Sequence, residues 1–316
     1  MIDKSDKIPV VAVVGPTASG KSRLAVEIAL CKHGEIISAD SMQIYKGMSI
    51  GTAKPTKEEM RGVPHHLMDF ADLSHPFSVA DYVSLASNCI LELNGRGKLP
   101  VLAGGTGLYI RSLLNNIQFT ENNKNEALRK ELAQKAENQG VQALVEELKS
   151  FDPESAERIH PNNIGRVIRA IEIYRTTGLT MTEQMKLSRE KPSPYDACVI
   201  GLDFKDRQKL YDRINLRVDL MMSEGLLTEA KEVLARPGSQ TALQAIGYKE
   251  LLPYFNSECT LDEAVESIKR ESRRYAKRQL TWFRRDENIS WIMVDENKDF
   301  DEVTKQSLRI VNRKGW

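Results

Sequence analysis

The chain has 316 residues, 41% of them hydrophobic and 28% charged, which predicts about two soluble globular domains and excludes disordered and fibrous proteins. Its 45 basic and 44 acidic side chains give a net charge of +1, so a polyanionic partner has to be bound by a local basic patch. The longest apolar stretch spans seven residues and no signal peptide is recognisable, which predicts a cytoplasmic protein with no membrane association.

The first hundred residues alternate short apolar runs with helical patterns. Such alternation is typical of βαβ units, in which helices cover a parallel sheet. A helix is expected from about Lys21, and a capping box formed by Thr56 and Glu59 predicts a short second one. The apolar runs predict strands at 10–14, 35–39 and 99–103.

Between residues 115 and about 191 the pattern changes to long, charged, helix-periodic segments. Helices are predicted at 126–137, 142–149 and 164–176, with no strand among them. Two further strands, at 197–204 and 289–294, indicate that the sheet resumes afterwards. The predicted fold is therefore α/β: a P-loop parallel sheet flanked by helices, formed by 1–114 and 198–316, with a helical insertion domain at 115–197.

A phosphate-binding motif lies between the first strand and the first helix. The residues Gly15-Pro16-Thr17-Ala18-Ser19-Gly20-Lys21-Ser22 match G-x-x-x-x-G-K-[ST] in the strand-to-helix context that this motif requires. Backbone N–H groups of such a loop form an anion nest, and the helix N-terminus adds partial positive charge. Lys21 is predicted to reach terminal phosphate oxygens, and the hydroxyl of Ser22 is suited to Mg²⁺.

A carboxylate follows the second predicted strand. Parallel strands present their carboxyl ends to the crevice beside the phosphate loop, so Asp40 is placed to accept a proton from a second substrate. A role as a loop or N-cap acid is the alternative. The strand at 99–103 continues into Gly104-Gly105-Thr106-Gly107, without the metal-holding acid that nucleotide hydrolases usually carry there.

The last predicted helix is strongly basic. Thr260 and Glu263 form its capping box, and a stripe of apolar or small residues is expected to be buried: Ala264, Ile268, Ser272, Tyr275 and Trp282. From 269 to 285, eight basic residues stand against Glu271 alone, a surplus of +7 in 17 residues. Because like charges at helical spacing repel, we expect this segment to bind a polyanion, RNA rather than DNA.

The histidines and cysteines predict no metal or disulfide chemistry. His65 and His66 are adjacent, point in different directions and lack a zinc-type partner, so packing or loop roles are favoured. The four cysteines are at least 58 residues apart, and they are expected to be reduced and mostly buried.

Several motifs in the same order resemble the tRNA dimethylallyltransferases, also called isopentenyl tRNA transferases. The resemblance covers nearly the whole chain, and the absence of a cysteine-rich finger after 316 makes it similar to the shorter bacterial type. The motifs are Gly15–Ser22, 40–48, 51–55, 104–109, 166–170, 213–217, 244–249, 275–279 and 281–284.

The resemblance implies a reaction and its site residues. The diphosphate of dimethylallyl diphosphate is expected in the cradle formed by 15–22, and the acceptor is N6 of the adenine 3′-adjacent to the tRNA anticodon. Asp40 matches the general base, Thr106 the acceptor side of the site and Arg217 an arginine that holds diphosphate; with Lys21 these form the predicted catalytic set. Mg²⁺ is the expected cofactor and the anticodon stem-loop the expected partner of a monomeric enzyme.

Further positions match residues that contact tRNA. Gly165 departs from the pattern, because many members have glutamine there, so no side-chain contact is expected from it. The predicted tRNA-contacting set, including the basic helix, is Asp40, Ser41, Met42, Gln43, Thr106, Arg129, Gly165, Arg166, Val167, Ile168, Arg169, Gln244, Ala245, Ile246, Gly247, Tyr248, Lys249, Arg273, Arg274, Lys277 and Arg278.

Three other functions share parts of this pattern. A transferase that prenylates a free adenine nucleotide has the same need for a cradle and a base, but little use for the basic helix. An ATP-dependent small-molecule kinase would use Asp40 to activate a hydroxyl. A non-enzymatic RNA-binding protein with an ATP switch would bind RNA in a nucleotide-dependent way and form no covalent product.

Overall fold

The computed structural model describes residues 7–119, 125–237 and 244–316. Contacts between residues divide the chain into two compact units, one formed by Met1–Leu114 with Pro194–Trp316 and the other by Asn115–Ser193. The second unit ends at Ser193, not at 197, because pairing of Tyr195 with Ile8 brings the following residues into the sheet of the first unit.

The first unit contains a six-stranded sheet in which all neighbouring strands are parallel. Its spatial order is β3-β2-β4-β1-β5-β6, so β1 occupies an interior position beside β4 and β5. The strands are β1 (Ile8–Val14), β2 (Gly34–Ser38), β3 (His65–His66), β4 (Leu99–Ala103), β5 (Tyr195–Asp203) and β6 (Ile289–Met293). This confirms the predicted fold class.

Helices cover both faces of the sheet, which explains why its strands are nearly continuous apolar runs. One face packs against α1 (Lys21–Cys31) and α14 (Phe300–Asn312), where Val11 and Val13 belong to the core. The opposite face, with Val10 and Ala12, packs against α3 (Val79–Gly95), α4 (Gly107–Leu114) and the second half of α13 (Leu261–Phe283).

A third hydrophobic cluster lies beyond the sheet within the same unit. It is built from the segment 44–48, the first half of α13, and the helices α10 (Arg207–Ser223), α11 (Leu226–Ala235) and α12 (Leu252–Phe255). The short helix α2 (Lys57–Met60) begins with the predicted capping box of Thr56 and Glu59. Because α13 joins both cores, its polar side chains reach the space between them.

The second unit is helical throughout its described residues, as expected for the insertion. Its core contains Leu132, Leu144, Leu148 and Ile171, all buried. The helices are α5 (Glu126–Gln139), α6 (Val141–Phe151), α7 (Pro153–Arg158), α8 (Ile164–Thr177) and α9 (Met181–Leu187).

Some features differ from the predictions. The basic helix is not the last one, because α14 follows it with Asp299 as its N-cap. Of the four cysteines only Cys198 is buried, so the expectation of mostly buried thiols is wrong.

His66 contacts the carboxylate of Glu35 at 2.7 Å, a packing role on an edge strand. Within the described ranges, no helix is both long and apolar enough for a membrane span.

Candidate active site

Loops at the carboxyl ends of β1, β2 and β4 surround a cavity of about 410 Å³ in the first unit. This volume is in the range of small-ligand sites in proteins. The same edge of a parallel sheet is where ligands of open α/β folds bind. Five residues of the P-loop, which is the segment 15–22, line the cavity: Thr17, Ala18, Gly20, Lys21 and Ser22. Most of the rest of the lining comes from residues 40–43, 51–53, 103–105 and 244–247, from Glu59, and from side chains of α10 and α13.

The P-loop has the strained, open geometry of an anion nest. Gly20 has φ 95° at the N-cap of α1, a conformation available to glycine, and no side chain caps the amides of the first helical turn. Ala18 also has a positive φ of 61°, which for an L-residue costs roughly 1–2 kcal/mol. The hydroxyl of Ser19 donates to Pro16 O at 2.8 Å and braces the turn. These amides are left to bind a ligand's anionic oxygens.

Two cations of the cavity lack an acidic partner within the described ranges. Lys21 Nζ donates to the carbonyl of Pro16 at 2.6 Å, and Arg217 Nη2 approaches the carbonyl of Ala53 at 3.4 Å. Burial and the neighbouring charge of Arg217 lower the pKa of Lys21 to about 7, against the opposite influence of Asp40. Burial also lowers the pKa of Arg217. Two half-buried cations that repel each other create a strong site for an anion.

Asp40 lies just after β2 and lines the cavity. Its Oδ1 accepts hydrogen bonds from the amides of Met42 (2.9 Å) and Gln43 (3.4 Å), so the predicted loop-acid role is part of its function. Its Oδ2 has no hydrogen-bond partner among the described residues. The carboxylate is therefore held in place by one oxygen and keeps the other available.

Thr106, in the loop after β4, bonds to the residue that follows Asp40. Its Oγ1 accepts from the Ser41 amide at 3.0 Å and lies 3.4 Å from the Ser41 hydroxyl. A Cβ at the neighbouring Gly105 would lie 2.0 Å from Gln279 Nε2, so a larger residue there would displace the Gln279 amide. The sequence match of Thr106 to the acceptor side is compatible with this place beside Asp40.

The wall formed by residues 49–53 is held by one carboxylate. Glu229 of α11 accepts the amides of Ser49 (2.8 Å), Ile50 (2.8 Å) and Gly51 (2.9 Å) and the hydroxyl of Tyr248 (2.7 Å). The Gln43 amide group donates to the carbonyls of Thr52 and Ala53, at 3.1 and 3.2 Å. Gln43 is thus oriented by a loop that Glu229 fixes.

The segment 244–249 is partly a wall of the cavity and partly core. Gln244, Ala245, Ile246 and Gly247 line the cavity. Tyr248 is completely buried with its hydroxyl on Glu229, so its side chain has no access to RNA.

Part of the basic surplus on α13 is neutralised by tertiary contacts. Lys269 pairs with Asp219 at 2.8 Å, Arg274 with Glu271 at 2.7 Å, and Arg284 with the buried Asp203 at 2.6 Å. Asp219 and Asp203 are distant from this segment in sequence, whereas Glu271 lies within it. The cations of this segment without an acidic partner among the described residues are Arg273, Lys277, Arg278 and Arg285. Of these, Arg278 lines the cavity, and Arg273 donates to Asn215.

In the second unit, the predicted arginines surround a buried carboxylate. Glu172, with no exposed side-chain surface, accepts two bonds from Arg129 (both 2.8 Å) and one from Arg169 (2.6 Å). Burial disfavours the Glu172 anion, but the hydrogen bonds from these arginines outweigh it and lower its pKa to about 2. Two guanidinium groups on one carboxylate leave one positive charge at this surface.

The other predicted residues of that segment divide by burial. Gly165 and Arg166 are exposed at the start of α8, whereas Val167 and Ile168 pack in the helical core. Their buried side chains cannot reach RNA, because the helical period turns them inward. Of the predicted RNA-contacting side chains in this unit, those of Arg166, Arg169 and Arg129 are not buried in its core.

Three residues of the site were not singled out from the sequence as functional. Gln279 and Tyr275 of α13 line the cavity, and Glu229 supports its wall. Gln279 lies one turn after Tyr275, on the face of the helix expected to be apolar. A polar residue at such a position is the sequence feature that indicates a functional role. Nothing near Glu229 in the sequence marks it.

Comparison with known proteins gives consistent results over the whole chain. The family model described as IPP transferase matches residues 43–286. A tRNA dimethylallyltransferase of Thermoanaerobacter sp. (strain X514) is 48% identical over 305 residues, which are 96% of this chain and 97% of that relative.

Solved structures agree with the sequence matches. The full-length tRNA isopentenylpyrophosphate transferase from Bacillus halodurans is 46% identical with a TM-score of 0.72, covering 98% of both chains. A eukaryotic dimethylallyltransferase acting on tRNA is 30% identical with a TM-score of 0.75, over 87% of this chain and 69% of that one. The resemblance stated from the motifs is confirmed, and the chain belongs to the IPP transferase family, with the tRNA dimethylallyltransferases as its relatives.

Proposed function

We propose that this chain transfers the dimethylallyl group of dimethylallyl diphosphate to N6 of the adenine 3′-adjacent to the anticodon in tRNA, and releases diphosphate. The observation that carries the proposal is that one cavity holds two cations without an acidic partner among the described residues, Lys21 and Arg217, together with Asp40, whose Oδ2 accepts no hydrogen bond from them. Lys21 and Arg217 are suited to bind a leaving diphosphate, and the carboxylate of Asp40 is suited to accept a proton. The proposed enzyme acts in the cytoplasm as a monomer.

The P-loop end of the cavity supports binding of the diphosphate. As the C–O bond of the allylic donor breaks, positive charge develops on carbon and negative charge on the leaving oxygen. The open amides of the P-loop, Lys21 and Arg217 stabilise that negative charge. Because the negative charge on the leaving oxygen grows as the bond breaks, these groups stabilise the transition state more than the bound donor.

Apolar side chains elsewhere in the cavity support binding of the short prenyl chain. They come from α10, α13 and the segment after 244, and they exclude water that would otherwise capture an allylic cation. The apolar lining residues are Ile214, Val218, Met221, Ala245, Ile246 and Ile268. A polar head site and an apolar wall in one cavity fit a small molecule with a diphosphate head and a branched tail.

Asp40 supplies the base in the proposed mechanism. The N6 amine of adenine is a weak nucleophile, so its proton has to leave as the new C–N bond forms. The free Oδ2 of Asp40 accepts this proton, while Oδ1 stays anchored by two backbone amides. Atoms balance: the C–O bond to diphosphate is replaced by the C–N bond, and one proton moves from N6 to the carboxylate.

The residues present fit a magnesium ion. The Ser22 hydroxyl faces the cavity from the first turn of α1 and forms no hydrogen bond with another described residue, which leaves it available as a metal ligand. When bound, Mg²⁺ would neutralise charge on the diphosphate oxygens. Ser22 and the diphosphate itself would hold it.

A test of the proposed function measures the mass of tRNA after incubation with the purified chain. With dimethylallyl diphosphate and Mg²⁺, and without ATP, we expect tRNA to gain one dimethylallyl group. Replacing the donor with ATP tests the kinase alternative, and replacing tRNA with AMP tests prenylation of a free nucleotide. An absolute requirement for ATP, or modification of AMP in preference to tRNA, would refute the proposal.

The cations of α13 that form no ion pair with a described carboxylate are expected to bind RNA phosphates. A triple variant, Arg273→Gln, Lys277→Gln and Arg278→Gln, should weaken tRNA binding and reduce the slope of log K against log salt by roughly 0.7 for each single-strand phosphate that is no longer neutralised. The matched control replaces Lys305 and Arg309 of α14 and its C-cap residue Arg313 by Gln, an equal change in net charge on another helix. Equal salt slopes for both triple variants would show that α13 is an ordinary solvated face.

A further inference from the structure

Gln279 connects the two loops that carry the opposite ends of the candidate site. It is almost completely buried, at 5% exposure, and both ends of its amide are used. Its Oε1 accepts the Thr17 amide of the P-loop at 2.9 Å, and its Nε2 donates to the Gly105 carbonyl at 3.0 Å. A buried primary amide that bonds two separate loops fixes the spacing between them, because either bond is costly to leave unmade.

Tyr275 extends this connection toward the acid. It lies one turn before Gln279 on α13 and lines the cavity, and hydrogen-bonding interactions with Thr106 and Gln279 oppose the rise that burial causes in the pKa of its hydroxyl. Thr106 in turn accepts the amide of Ser41, the residue that follows Asp40. Hydrogen bonds therefore run from the P-loop to Gln279 and on to the Gly105 carbonyl, and the next residue, Thr106, bonds to the loop that holds Asp40; Tyr275 lies beside this connection.

We infer that Gln279 and Tyr275 are positioning residues that set the distance between the diphosphate cradle and the base. The inference rests on the proposed function, since it assigns the donor to one end of the connection and the acceptor to the other. Neither side chain needs to touch a reacting atom. They act on the alignment of the two substrates. The dissociation constant of either substrate alone does not report this alignment.

This role predicts a particular kinetic pattern. A misplacement of about 1 Å at a reacting centre can reduce the rate by roughly 10²-fold while each substrate still binds. Each loop keeps its own internal contacts when the connection is removed, such as Ser19 to Pro16 and Asp40 to Met42. Chemistry is therefore expected to suffer more than either binding step.

The experiment compares three variants with the parent enzyme. Gln279→Met removes both amide bonds at similar volume, Gln279→Glu keeps an acceptor for Thr17 but cannot donate to Gly105, and Tyr275→Phe removes only a hydroxyl. We expect single-turnover rates at saturating substrate to fall about 10- to 100-fold, with donor and tRNA dissociation constants within about threefold of the parent's. The double variant Gln279→Met with Tyr275→Phe should be no slower than Gln279→Met alone, because both residues act through one connection.

The outcomes separate alignment from other roles. A lower unfolding temperature with an unchanged single-turnover rate would make the pair merely structural and overturn the inference. A weakened donor or tRNA affinity with an unchanged rate at saturation would show that Gln279 and Tyr275 are binding residues, which would also overturn the inference. If Gln279→Met does not fold, Tyr275→Phe and Gln279→Glu decide by the same criteria. Failure of the parent enzyme itself to modify tRNA would refute the proposed function instead.

Discussion

Asp40→Asn is expected to reduce the single-turnover rate by about 10² to 10⁴, the usual cost of losing a positioned general base. The structure makes this variant a clean one. Asn keeps an Oδ1 that accepts the Met42 and Gln43 amides, so the loop after β2 should retain its shape. It replaces the available Oδ2 by an NH₂ group, which cannot take a proton from N6. Affinity for tRNA, which depends on many other contacts, should change little.

The control for Asp40→Asn is Asp72→Asn. Asp72 also accepts a nearby amide, that of Ser74 at 2.8 Å, but it is exposed and does not line the cavity. Asp72→Asn therefore shows how much the single-turnover rate changes when the same substitution is made in a loop turn outside the site. A rate for Asp40→Asn near that of the control would assign Asp40 to loop geometry alone and require another base.

The elements and the phosphate site were predictable because their signals are local. Strand β4 coincides with the predicted bounds, and three of the insertion helices begin within one residue of the prediction. The P-loop is recognised from eight consecutive residues, since its function depends on consecutive backbone amides. Asp40 could be placed because strand ends of a parallel sheet meet at one edge.

Interactions between distant segments were not predictable in this way. Asp219 and Asp203 neutralise two cations of the basic segment from α10 and β5, so a charge count along α13 overstates its free surplus. Gln279 and Thr17 are 262 residues apart, and only the packing of α13 against the loops brings them together. The periodicity of a single sequence predicts which face of a helix is buried, but it does not predict which loop a given side chain on that face contacts.

Arg217→Gln is expected to reduce kcat/KM for the donor by about 10² to 10³, the range found when one preorganised charge or donor is removed from a transition-state site. The loss should appear in kcat as well as in KM, because negative charge on the diphosphate grows as the C–O bond breaks. The control is Lys209→Gln, an exposed cation on the same helix whose nearest carboxylate is Asp295, at 3.9 Å.

Stability should move in the opposite direction to activity in this variant. Arg217 is a half-buried cation that forms no ion pair with a described carboxylate, and its charge opposes that of Lys21. Removing it relieves a repulsion and a desolvation cost, and it loses one long hydrogen bond to Ala53 and the attraction of Glu59, Asp40 and Glu224, which the cost of burial outweighs. The unfolding temperature is therefore expected to stay level or rise as catalysis falls, and an unfolding scan beside the kinetics measures both. A lower unfolding temperature with near-parental kcat/KM would mean that Arg217 supports the fold and that the diphosphate is held by the P-loop and Lys21 without it.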